Sequence, residues 1–143
     1  MTTRTVSFLL VLSLLAAACG SSNTGIEIED PWGRASPSVA TNGALYLRLV
    51  NGGDADRLLD ADSDACASLE VHTSVMDDGV MRMQKIDGGV EIPAGGETSL
   101  EPGGMHLMCI DKQVDFVAGT KVSVTLDFAT TEPQTIEIEI RDS

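Results

Sequence analysis

Apolar and polar residues alternate along most of this chain, in short segments that glycine, proline and aspartate interrupt. Beyond its first segment, no stretch repeats apolar residues at helical spacing for long. A period of two places one face of a strand on a core and the other in water. A chain of 143 residues has room for one domain, so we predict a single all-β domain, a sandwich or Greek-key barrel. The alternation is clearest in 26–28, 45–49, 122–128 and 136–140.

The segment before this pattern has a different character. Arg4 precedes an apolar run over 8–18 that ends directly before Cys19. That run is well short of the roughly 20 residues that a membrane-spanning helix needs, so we interpret 1–18 as a secretion signal. The small residues before the cysteine resemble a bacterial lipobox, which predicts lipidation of Cys19. The alternative is an ordinary cleaved signal in which this cysteine has no role.

The signal divides the chain and sets its location. Residues 19–25, rich in glycine and serine, would form a flexible tether. Residues 26–143 would form the folded domain. We expect an extracytoplasmic monomer that is attached to the membrane only through its lipid.

The charge balance narrows the classes of partner. With 22 acidic and 9 basic side chains the formal net charge is -13, which argues against a nucleic acid as partner and against adsorption on anionic lipid. Aromatic residues make up 3% of the chain, too few for a platform that stacks bases or sugars. No nucleophile motif, phosphate-binding glycine loop or H-E-x-x-H zinc spacing is present, so we do not predict an enzyme.

The cysteines allow more than one interpretation. If Cys19 carries lipid, Cys66 and Cys109 remain in a compartment where disulfides persist. We predict a bridge between them. Two buried free thiols or a redox couple are the alternatives, because sequence alone does not show that their Cβ atoms are close.

Both histidines, and all methionines except Met1, lie within 72–108. Thioether sulfur and neutral imidazole nitrogen together suit Cu(I) better than Mg²⁺, Ca²⁺ or structural zinc. Taken singly, a methionine is commonly a core filler and a histidine a hydrogen-bonded residue. Their joint placement favours a soft-metal site.

Strand geometry supports this grouping. If 70–75 and 80–85 are strands joined by a four-residue turn over 76–79, His72 lies directly opposite Met83 on one face. Met81 then lies on the same face as a reserve ligand.

A second pair comes from a later strand, predicted over 105–110 after a Pro-Gly-Gly turn. His106 and Met108 are two positions apart and share a face. Cys109 points to the opposite face, which makes it a poor ligand candidate. The sequence does not show that the two pairs meet.

These four residues, with ten positions between His72 and Met83, twenty-two between Met83 and His106, and one between His106 and Met108, carry a family resemblance. The pattern is similar to the metal motif of the periplasmic Cu(I) chaperones called PCuAC. The surrounding segments also resemble that family: Asp30-Pro31-Trp32-Gly33-Arg34-Ala35-Ser36-Pro37, Ala44-Leu45-Tyr46-Leu47 with Asn51, Glu70-Val71-His72, Gly79-Val80-Met81-Arg82-Met83, Glu91-Ile92-Pro93-Ala94-Gly95-Gly96 and Pro102-Gly103-Gly104-Met105-His106-Leu107-Met108.

The resemblance implies a cupredoxin-like β-barrel that holds Cu(I) near its surface through two histidines and two methionines. It also implies delivery of copper to the dinuclear copper centre of a haem-copper respiratory oxidase, in cooperation with Sco-type thiol proteins. The sequence departs from some members in its C-terminal segment, 131–143, which contains neither methionine nor histidine. Cys66 and Cys109 lie outside the family's metal motif.

Three other functions are alternatives to the chaperone. A blue-copper electron carrier needs a cysteine thiolate ligand, and Cys109 has the wrong parity. A thiol oxidoreductase would use Cys66 and Cys109, but no Cys-x-x-Cys motif is present. An envelope copper buffer without a specific client is not distinguished from a chaperone by the sequence.

Overall fold

A computed structural model of the chain describes residues 24–142. The predicted signal, Cys19 and most of the tether lie outside the described residues, so those assignments stay predictions. Ten strands account for the regular structure of the described part: β1 Ile26–Arg34, β2 Gly43–Asn51, β3 Asp56–Asp62, β4 Cys66–Asp77, β5 Val80–Lys85, β6 Val90–Ile92, β7 Glu97–Leu100, β8 His106–Lys112, β9 Lys121–Phe128 and β10 Gln134–Arg141.

Seven of these strands close into a barrel. Hydrogen-bonded neighbours run in the order β4, β8, β2, β1, β10, β9, β3, and β3 pairs back to β4. The β1–β10 pair is parallel and the other pairs are antiparallel. Strands β5, β6 and β7 extend the sheet beside β4, β3 and β2. The prediction of an all-β, cupredoxin-like Greek-key barrel is confirmed.

The alternating segments bury the residues that the period of two selects. Val122, Val124, Leu126 and Phe128 of β9 are all buried, while the intervening side chains are exposed or half-buried. In β10, Ile138 and Ile140 are fully buried and pack in the same core. Burial of aliphatic side chains is the main stabilising contribution in a core with so few aromatic rings.

The first strand extends past the predicted alternating segment 26–28, through Pro31 to Arg34. The register between β1 and β2 shifts between Glu29 and Trp32, and Asp30 adopts a positive φ of 46°. Pro31 lies in this irregularity, where its missing N–H costs no ladder bond. The bulge places Trp32 directly opposite Tyr46 of β2.

The predicted register of the β4–β5 hairpin is wrong. Asp77 pairs with Val80, and His72 pairs with Lys85 instead of Met83. The turn is therefore the dipeptide Asp78-Gly79, whose φ values of 49° and 79° are both positive. Asp-Gly is a preferred pair for tight hairpins with two positive φ values, which leaves Met76 and Asp77 in the strand.

A slip of two residues preserves which face each side chain occupies. Met83 thus remains on the face of His72, displaced along the strand and opposite Ser74.

Candidate metal centre

The outer face of β4 and β8 brings the two histidines together. His72 and His106 are directly opposite each other in the antiparallel ladder. Their ring centroids are 6.1 Å apart and the ring planes are inclined at 52°. Two strands that are remote in sequence therefore place both imidazoles over one patch of the sheet.

The two methionines border the same patch from either side. Met108 is opposite Glu70 on β4 and opposite Ala44 on β2, so it lies on the same face as His106. Met83 approaches from the exposed strand β5. Met83 and Met108 line one open cleft of about 240 Å³, and strand parity places both side chains on the face of the two histidines.

Each histidine has one ring nitrogen without a hydrogen-bond partner. The Nδ1 atom of His106 is 3.1 Å from the carbonyl oxygen of Gly104, and because a carbonyl can only accept, Nδ1 carries the proton. The Nε2 atom of His106 is buried and unpartnered, and so is the Nδ1 atom of His72. A buried polar atom without a partner is costly, and an unprotonated ring nitrogen of this kind is a metal donor.

Glu70 completes the environment of His72. Its Oε2 lies 2.9 Å from His72 Nε2, which therefore donates to the carboxylate and leaves Nδ1 as the lone-pair atom. Lys85 Nζ lies 3.1 Å from Glu70 Oε1. The hydrogen bond from His72, followed by that from Lys85, lowers the pKa of Glu70 below its ordinary value. A carboxylate that orients the second nitrogen of a histidine is the usual support for a metal ligand.

Aromatic rings cover the other side of His106. The Tyr46 ring is 6.3 Å from the His106 ring, and Trp32 packs on Tyr46 at 4.6 Å. The guanidinium carbon of Arg34 lies 5.8 Å from the Tyr46 ring centroid. These contacts fix His106, which is only 3% exposed.

Exposure rises steeply across the patch towards the hairpin. The His72 side chain is 14% exposed, whereas Met83 is 57% exposed. The site therefore has a rigid side at β8 and an open side at β5.

The donor set is restricted to nitrogen and thioether sulfur. Within residues 24–142, no three His, Cys, Asp or Glu side chains are grouped so that they could hold a metal ion. The patch can accommodate a soft ion only by using methionine sulfur.

The cysteines lie on the other side of the sheet. Cys109 is fully buried in the core and forms a disulfide with Cys66. Both sulfurs are thereby removed from the outer face.

Glu70 and Tyr46 are absent from the predicted ligand set. A parity argument could have found Glu70, because it is two residues before His72 on the same strand face. The role of Tyr46 could not be predicted, because it depends on the tertiary pairing of β2 with β8.

Among residues 24–142, no helix is long and apolar enough to cross a membrane.

Comparisons with known proteins identify a matching family and a related protein, both described as putative lipoproteins. Residues 26–140 match the family described as "Putative lipoprotein LpqE-like". The "Putative lipoprotein Lxx21020" of Leifsonia xyli subsp. xyli is 32% identical over 124 residues, which cover 86% of this chain and 74% of that protein.

Solved structures show the same barrel. The copper-bound PCuAC domain from PmoF2 superposes with a TM-score of 0.69 and 26% identity, covering 82% of this chain and 93% of that one. The solution structure of CuI-DR1885 from Deinococcus radiodurans superposes with a TM-score of 0.66 and 20% identity, covering 88% and 84%. At that identity the second likeness concerns the fold alone.

Proposed function

This chain belongs to the LpqE-like family, and from that premise we propose that it is an extracytoplasmic Cu(I) chaperone. It binds one Cu(I) ion through His72, Met83, His106 and Met108. It is a carrier of the metal, and not an enzyme. The observation that carries the proposal is the pair of buried, unpartnered imidazole nitrogens, His72 Nδ1 and His106 Nε2, on rings only 6.1 Å apart.

The chemistry of the donors selects the metal. Two imidazoles and two thioethers form a neutral, soft set that suits Cu(I). Thioethers carry no charge, do not titrate and do not form disulfides, so disulfide formation in an oxidising compartment does not remove them as donors. The copper-bound PCuAC domain from PmoF2, at 26% identity, supports copper as the ion.

The uneven exposure of the ligands suits a protein that must release its cargo. His106 is held by Gly104 and the aromatic rings, whereas Met83 is on the exposed hairpin. A ligand of the acceptor can displace Met83 first, and the remaining ligands can follow one at a time. Copper then passes between proteins without entering free solution.

The proposal also covers the protein that receives the copper and the lipid that attaches the carrier to the membrane. We assign the dinuclear copper centre of a haem-copper oxidase as the acceptor and a Sco-type thiol protein as a cooperating partner, both on the resemblance to PCuAC proteins. Lipidation of Cys19 would hold the carrier on the envelope side of the membrane, in line with the lipoprotein descriptions of its family and its Leifsonia relative.

An electron carrier of the blue-copper type has less support. Such a centre needs a cysteine thiolate, and Cys109 is bonded to Cys66 in the core. The same bond, with both cysteines buried, gives a thiol oxidoreductase no accessible thiol.

Anaerobic Cu(I) titration against a competing chelator tests the site. We expect one tight equivalent for the wild type and a large loss of affinity for Met83→Ala and for His106→Ala. Met105→Leu is the control, because Met105 packs against the core. If both alanine variants bind as the wild type does, the site is not the one proposed.

Delivery is tested separately. The Cu(I)-loaded protein is mixed with the apo form of the oxidase domain that normally holds the dinuclear copper centre. Assembly of that centre is followed by its absorption spectrum. Tight Cu(I) binding without any transfer, with or without a Sco-type protein, would instead identify an envelope copper buffer.

A further inference from the structure

Two methionines at the end of the β4–β5 hairpin are not used by the proposed copper site. Met76 and Met81 are directly opposite each other across the hairpin. They are 68% and 59% exposed, so neither fills the core. Exposed thioethers that face each other are available to bind a soft ion.

The hydrogen-bond pattern of the hairpin brings these two side chains close. The Ile86 N–H donates to the Val71 carbonyl at 2.9 Å, and these residues occupy the position before the His72–Lys85 pair. Hydrogen-bonded and non-hydrogen-bonded pairs alternate along an antiparallel ladder. Counting outward, Met76 and Met81 form a non-hydrogen-bonded pair, the type with Cα atoms about 4.5 Å apart and the closer side chains.

The pair continues the face of the proposed copper site. Met76 is four residues from His72 and Met81 is two from Met83, so parity places all four side chains on one face. Two residues of a strand span about 7 Å. Met83 therefore lies between the Met76–Met81 pair and the histidines, and its exposed side chain can turn towards either.

The surroundings favour a cation. The protein has a net charge of -13, and such a field raises the local concentration of cations. Asp78 of the turn adds a negative charge close to the pair, whereas Asp77, in the strand, lies 3.4 Å from Arg82 and is paired with it.

We propose that Met76 and Met81, with Met83 as a shared ligand, form a second, thioether-only site for a soft monovalent ion such as Cu(I) or Ag(I). Copper would bind here on its way into and out of the His72–His106 site, and this role rests on the proposed function. The ion keeps its oxidation state, and each step exchanges one neutral thioether for another. Binding here is weaker than at the His72–His106 site, because no imidazole contributes.

Methyl NMR of the protein labelled with ¹³C at the methionine methyl groups tests this site, with Ag(I) as the probe. The first equivalent is expected to shift the Met83 and Met108 methyl signals, and the second those of Met76 and Met81, with a further change at their shared ligand Met83. The double variant Met76→Leu, Met81→Leu keeps similar volume without sulfur and should lose only the second equivalent. Met105→Leu, the matched control, should keep both.

The outcomes separate the two proposals. If Met83 and Met108 respond but Met76 and Met81 do not move at excess Ag(I), the second site does not exist and the first stands. If Met76, Met81 and Met83 respond while Met108 does not, the thioether site stands and the proposed copper site fails. Retention of the second equivalent by the double variant would also overturn the thioether pair.

Discussion

His72 and His106 are opposite each other as the last residue pair of the β4–β8 ladder, which begins at Cys66 and Lys112 in the barrel wall. Closure of the barrel fixes that ladder on both sides, by β3 and by β2. Met83, in contrast, is on β5, whose side chains are all exposed. The imidazole pair is thus a preformed half of the proposed copper site, and the hairpin would supply the adjustable half.

Glu70 is expected to strengthen Cu(I) binding by orienting the His72 ring. Glu70→Ala removes the acceptor that orients the ring and leaves Nε2–H without a partner. Because loss of such a supporting carboxylate typically weakens metal binding about 10- to 100-fold, we expect that decrease in Cu(I) affinity, with the stoichiometry kept at one.

Glu91→Ala is the matched control for Glu70→Ala, since Glu91 pairs with Arg57 at the surface away from the histidines. Competitive chelator titration measures both variants. Equal affinities for Glu70→Ala and the wild type would remove Glu70 from the site.

Gly79 is expected to set the position of Met83. Its φ of 79° is unfavourable for a residue with a Cβ atom, although a Cβ there would meet no other group. Gly79→Ala should therefore destabilise the hairpin by about 1–2 kcal/mol, speed hydrogen exchange of the β5 amides and lower the affinity for Cu(I). Gly25→Ala, also without steric contact but without a positive φ, should change none of these. Unchanged exchange in β5 would contradict the hairpin geometry.

The disulfide is expected to stabilise the fold without taking part in metal binding. A bridge that closes a loop of this length contributes about 2–4 kcal/mol, chiefly through the unfolded chain. Cys66→Ala together with Cys109→Ala should lower the free energy of unfolding by that amount in chemical denaturation. Cu(I) stoichiometry should stay at one, because Cys109 faces the core. Loss of copper binding by a variant that remains folded would assign the cysteines a role in the site.

Asp56 is expected to make stability depend on pH. Burial alone would raise its pKa, but hydrogen bonds from Thr131, Arg57 and Thr130 outweigh burial and hold the pKa of Asp56 well below its ordinary value. The Arg57, Thr130 and Thr131 N–H groups lie 2.7–3.0 Å from the carboxylate. A lowered folded-state pKa stabilises the fold above the unfolded-state pKa of about 4, and this contribution is lost as pH falls towards the folded-state pKa.

Asp56→Asn therefore costs about 1–3 kcal/mol at neutral pH, and the difference from the wild type shrinks in acid. Urea unfolding of both proteins at pH 7 and at pH 3 measures this. A difference that is the same at both pH values would contradict the assignment. Asp60→Asn, on an exposed part of β3, is the control.

The sequence alone determined which residues could act as metal donors and which face of its strand each side chain occupies. Alternation in β9 and β10 selected the buried residues Val124, Leu126 and Ile138, because a strand turns successive side chains to opposite sides whatever lies beside it. For the same reason the parity of His106, Met108 and Cys109 on β8 was predicted, and the two-residue error in the hairpin register left Met83 on the face of His72.

The tertiary structure decided which strands are neighbours. That β4 lies beside β8, with His72 opposite His106 and Cys66 within bonding distance of Cys109, depends on barrel closure, and no local pattern encodes it. The hydrogen bond between His72 and Glu70, the packing of Tyr46 on His106 and the two unpartnered ring nitrogens follow from that arrangement. Local periodicity fixes the direction of a side chain within its strand, but distances between strands are set by the hydrogen bonds and the packed core of the whole barrel.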